Sequence, residues 1–164
     1  MKHNKKAQIQ QIVYFMVLIF TIAITILISK VIFNEFDDAL ESGDMHTTES
    51  RKALRDMDTA FPTLDNAILM ILILLTVGLI ITSFFIPTHP IFMFINVIGI
   101  FVLCFLGMIL SNLYRDIIIN SDQFLLVYGS FTKMNFIMNQ LPWIAAIIIF
   151  IVTIIQYTKF QSGG

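Results

Sequence analysis

The chain has 164 residues, 57% of them hydrophobic and 13% charged, with a formal net charge of −1. Soluble domains are about half apolar and about a quarter charged, so this composition excludes an ordinary soluble domain and predicts an integral membrane protein. A single cysteine, Cys104, excludes an intrachain disulfide, and the near balance of charge gives no reason to expect a nucleic-acid partner.

A bilayer core about 30 Å thick is crossed by roughly 20 apolar residues in a helix, and four segments have that length. The first runs over residues 12–33, behind the lysines Lys2, Lys5 and Lys6. It is too long for a signal peptide and lacks a small-residue cleavage site, so it is expected to remain as an anchor, with Lys30 near enough to its end to snorkel. The connection 34–63 follows and is strongly acidic. From Thr47 or Thr48 it reads as a capped polar helix that ends before Pro62, with Ala53, Leu54, Met57 and Phe61 on one face. That helix either joins two spans through water or lays its apolar face on headgroups or a partner.

The second span is expected over 64–86 and the third over 91–113, separated by Pro87, Thr88, His89 and Pro90. The two prolines and the histidine read as a turn. Pro87 stops one helix, Thr88 or His89 caps the next, and Pro90 fits its first turn, where no intrahelical N–H bond is lost. His89 is also a candidate contact for a partner or a lipid phosphate. The connection 114–140 is too apolar for a solvated loop, and two short interfacial helices, broken near Asn120–Asp122 and at Gly129, account for it. A re-entrant segment is the alternative, provided that protein surrounds its backbone. The fourth span covers 141–158, with Pro142 in its first turn and Trp143 and Tyr157 near its two ends. The fold class is therefore all-α, a single membrane domain with four transmembrane helices and short interfacial helices in its two outer connections. Basic residues at both tails predict that both termini lie inside.

The chemistry of the spans is sparse. None of the stretches 12–29, 66–86, 91–113 and 141–158 contains Asp, Glu, Lys, Arg or His, which ion-coupled pumps and proton relays place inside the bilayer. His3, His46 and His89 fall on three separate connections or tails, so they do not converge on one metal. No nucleophile elbow, phosphate loop or zinc-protease motif is present. The expectation is no catalytic residue, no cofactor and no metal. The spans instead carry small and weakly polar residues on one face: Thr21, Thr25 and Ser29 in the first, Asn96, Gly99, Gly107 and Ser111 in the third, and Ala146 in the fourth. Such faces pack helices closely; lining a pore is the functional alternative.

The stretch FFIPTHP, the glycine-bearing third span to NLYRD, and FTKMNFIMNQLPWIAAIIIF together resemble the small multi-span membrane proteins of tailless, lipid-containing icosahedral phages and viruses. The resemblance covers about residues 84–150. It rests on the proline-bearing hairpin Pro87–Pro90 and on an N-x-I-M-x-x-L-P pattern from Asn135 to Pro142. It implies a virion structural protein in an internal or host cytoplasmic membrane, whose loops contact capsid proteins, and it carries over no catalytic residue. The expected partners are the lipid bilayer, other membrane or capsid proteins, and further subunits in a homo- or hetero-oligomer. A holin-like oligomeric pore and an accessory subunit of a membrane enzyme complex are the competing expectations.

Overall fold

The computed structural model describes residues 7–43, 47–85 and 91–161, with the side chains of 7–9, 11, 91–96 and 160 outside that description. The turn residues Pro87, His89 and Pro90 and the side chain of Asn96 therefore lie outside the described residues. All regular structure among the described residues is helical: α1 (Ala7–Ser42), α2 (Thr48–Phe85), α3 (Ile91–Ile119), α4 (Asp122–Tyr128), α5 (Thr132–Asn139) and α6 (Leu141–Gln161). Long apolar runs adopt this state because a helix satisfies every interior backbone group within itself. Four of the helices, α1, α2, α3 and α6, are long and apolar enough to cross a membrane.

The helices outrun the expected spans. At about 1.5 Å per residue, α1 with 36 residues and α2 with 38 are each about 55 Å long, well beyond a bilayer core of about 30 Å. Most of the connection 34–63 is thus the continuation of α1 and α2, which pair through Lys30–Asp58 and Phe33–Phe61 as a projecting hairpin. Thr47 and Ser50 cap the return helix reciprocally. The Ser50 N–H donates to Thr47 Oγ1 at 3.1 Å and the Thr47 N–H to Ser50 Oγ at 3.0 Å, a capping box closed by serine.

The polar helix does not end before Pro62, contrary to the reading of the sequence; Pro62 sits inside α2. A proline removes one helical hydrogen bond and crowds the carbonyl four residues earlier, at a cost of about 3 kcal/mol. Pro62 is on the exposed side, where water can take up the freed carbonyl of Asp58. Its neighbours Phe61 and Asp65 are buried against the rest of the bundle, and their packing holds the helix in one piece.

The core runs along the inward faces of α1, α3 and α6, through Met16, Ile19, Leu27, Leu103, Ile148 and Ile149. The pair α3 and α6 packs most closely, and the reason is local. At Gly107 an added Cβ would lie 2.8 Å from the Pro142 Cα and 3.1 Å from the Met16 side chain, so only glycine lets the two backbones approach. Two short helices do occupy the second connection, broken at Asn120–Ser121 and at Gly129–Phe131. Of these, α5 is packed into the end of the bundle: Met134, Ile137 and Met138 are buried, against α1, α2, α3 and α6.

Candidate functional site

The most organised polar arrangement lies where the hairpin, α5 and the bundle meet. A helix leaves its first N–H groups without partners, and α5 begins behind Phe131, which has no side-chain acceptor to offer them. The acceptor arrives from another element. Asp65 on α2, only 7% exposed, accepts the Met134 N–H at 2.8 Å and the Lys133 N–H at 3.1 Å. A carboxylate in this position is also favoured by the positive end of the helix dipole. The Lys133 ammonium donates to the neighbouring Asn66 side chain, a second tie between α2 and α5.

A second set of bonds holds α5 from the other side. Tyr114 on α3 is fully buried and donates from its hydroxyl to Asn135 Oδ1 at 2.6 Å. Asn135 in turn donates to the Tyr128 carbonyl at 2.6 Å, closing the turn between α4 and α5. Asn139 reaches the Tyr128 hydroxyl at 3.2 Å. An amide that donates and accepts in this way satisfies groups that would otherwise be costly to bury. Further out, Gln123 on α4 donates to Glu35 on α1 at 2.8 Å.

The base of the hairpin is held by Lys30. Its ammonium pairs with Asp58 at 2.5 Å and stands 4.9 and 4.7 Å from the ring centres of Phe33 and Phe61. Phe33 packs on Phe61, and Phe61 packs edge-on against Phe131 at 6.2 Å between centres. Lys30 therefore points into the hairpin rather than snorkelling away from it. Beside it opens a cleft of about 280 Å³ lined by Lys30, Asn34 and Asp37 of α1 and Arg51, Arg55 and Asp58 of α2, with Phe33 and Leu54 at its base. At the far end of the bundle, the Lys159 ammonium donates to the Phe84 carbonyl at 2.7 Å, joining α6 to α2.

Of the small-residue positions singled out in the sequence, Gly99 and Gly107 are buried and Ser111 and Ala146 half-buried, so the α3 stripe faces neighbouring helices. Thr21, Thr25 and Ser29 lie elsewhere. They are exposed in the single chain, each hydroxyl donating at 2.8 Å to the carbonyl four residues earlier on α1. Cys104 is half-buried, its thiol 3.9 Å from the Pro142 carbonyl. Among the described residues there is no group of three His, Cys, Asp or Glu able to hold a metal.

The sequence reading did not single out Asp65, Tyr114 or the Lys30–Asp58 pair, and it named Asn135 only as the start of the pattern that ends at Pro142. Tyr114 is a core residue, and Lys30–Asp58 is the one ion pair among the described residues. A signal for Asp65 existed: a lone acid directly at the head of a 20-residue apolar run has to find donors. Comparison with protein-family models, with curated proteins and with solved structures finds no match.

Proposed function

We propose that this chain is a non-enzymatic scaffold of a lipid membrane, built to hold a rigid platform of helices at one face of the bilayer. The observation that carries this reading is the double fastening of α5, by Asp65 from α2 and by Tyr114 from α3. These buried polar groups fix one element against two others, which is the work of a docking surface. The platform presents Phe136, Leu125 and Leu126 outward, all more than half exposed, together with the exposed acids Glu35, Asp38 and Glu41 of α1.

The finer reading is a virion membrane protein linking an internal lipid membrane to capsid components. Its support is the resemblance over residues 84–150, including the Asn135–Pro142 pattern. That pattern coincides with the fastened element: Asn135 closes the α4–α5 turn, and Pro142 meets Gly107. With the termini inside, the hairpin and the α4–α5 platform face outward from the lipid toward a shell.

The test is biochemical. Purified particles of a lipid-containing icosahedral virus encoding the chain should hold it intact, and an amine crosslinker should join Lys52 or Lys133 to a capsid protein. Particles free of the chain would overturn the virion role. Liposomes that conduct ions on adding the purified chain would overturn the scaffold reading as a whole.

A further inference from the structure

The cleft between the extensions of α1 and α2 has charges left over. Lys30 and Asp58 neutralise each other at one end of it, beside the rings of Phe33 and Phe61. Beyond that pair, Asp37 stands on the α1 wall and Arg51 and Arg55 on the α2 wall, and among the described residues no ion pair joins them. Arg51 and Arg55 are one helical turn apart, so both guanidinium groups belong to the same wall. Asn34, half-buried like Asp37, adds an amide.

Size and depth limit what fits. The cleft holds about 280 Å³, at the small end of ligand pockets, which run from about 300 to 1,000 Å³. That is room for a polar headgroup and too little for an acyl chain or a helix. Phe33 ends the apolar run of α1, and Asp37 lies four residues, about 6 Å, past it. The headgroup layer occupies roughly the first 5–7 Å outside the hydrocarbon core on each side. In a bilayer crossed by α1, the cleft therefore opens at headgroup depth.

Charge selects the headgroup. The two extensions carry more acids than bases, with Glu35, Asp38 and Glu41 on α1 and Glu49 and Asp56 on α2 outside the lining of the cleft. This surplus disfavours an occupant of net negative charge. A zwitterion brings its own cation. We propose that the cleft seats the headgroup of a phosphatidylethanolamine lipid, its phosphate held by Arg51 and Arg55 and its ammonium by Asp37. Guanidinium groups match phosphate oxygens with paired N–H donors. A primary ammonium donates hydrogen bonds to a carboxylate, whereas the trimethylated group of phosphatidylcholine has no N–H to donate. A lipid held there ties the two extensions together beyond Lys30–Asp58 and fixes the hairpin to the membrane surface. The assignment rests on α1 and α2 crossing a bilayer and not on what the platform docks.

Native mass spectrometry of the full chain tests this, after transfer into mild detergent from liposomes of equal parts phosphatidylethanolamine, phosphatidylcholine and phosphatidylglycerol. The expected result is retained phosphatidylethanolamine, about fivefold or more over either other lipid. Arg51→Gln with Arg55→Gln should lower its retention about tenfold, the order expected for losing charge-assisted hydrogen bonds. Asp37→Asn should bring phosphatidylethanolamine down to the level of phosphatidylcholine. Lys52→Gln with Asp38→Asn, exposed side chains outside the cleft, should leave retention unchanged. Helix content by circular dichroism checks that each variant is folded. Equal retention of the three lipids, or equal loss in the cleft and control variants, would overturn the site. Displacement by soluble glycerophosphoethanolamine at the lipid's own concentration would overturn a lipid as its occupant. Selective retention by a chain absent from virus particles would support the site and overturn the virion role alone.

Discussion

Asp65 shows how much one side chain can decide. It is nearly buried, yet its carboxylate is matched by two N–H groups that α5 has no other means of satisfying. Removing a partner from a buried donor costs roughly 1–3 kcal/mol for each group left unmade. Asp65→Ala should therefore lower the stability of the chain in detergent micelles by that order, read from thermal unfolding, with Asp65→Asn recovering part of the loss. Tyr114→Phe tests the other fastening. It keeps the ring and removes only the donor to Asn135 Oδ1, so a loss of about 1–2 kcal/mol is expected. Unchanged unfolding in both variants would mean that neither bond matters in the folded chain. These residues were hard to read in the sequence for a physical reason. Asp65, Tyr114 and Asn135 are far apart in the chain, and a polar residue at a span boundary looks the same whether it faces headgroups or a buried N–H. Gly107, by contrast, was legible, because a small residue recurring at helical spacing has few uses other than close packing.

Among the elements, α2 departs furthest from its sequence. The rule that a helix stops before proline is local, and the packing that overrides it is not: Phe61 sits between Phe33 and Phe131, and Asp65 holds α5. Since Pro62 serves none of these contacts and is exposed, Pro62→Ala should restore a helical bond and raise stability by up to about 3 kcal/mol. A lower unfolding temperature would show that the proline sets a bend the packing needs. The contact between α3 and α6 gives the opposite prediction. Gly107→Ala would push a methyl against the Pro142 backbone, and overpacking of this kind costs about 1–3 kcal/mol. The breaks around α4 and α5 were legible from Asn120–Asp122 and Gly129. The depth at which α5 is buried was not, because its donors and acceptors come from α2 and α3.

For the whole molecule, composition and the lengths of the apolar runs were enough to give an all-helical chain with four helices able to cross a membrane. What they left open is how far the helices project. The polar ends of α1 and α2 read as a connection, but are one hairpin held by Lys30, Asp58 and two phenylalanine rings. The resulting body pairs a bundle of four helices able to cross a membrane with a platform at one end, and the proposed scaffold role depends on that platform being rigid. Hydrogen exchange of the chain in lipid nanodiscs measures this most directly. The amides of α5 should be protected together with those of the four long helices, and Asp65→Ala should release α5 while the long helices stay protected. Exchange in α5 of the unaltered chain as fast as in an unstructured peptide would contradict a fastened platform and the function built on it.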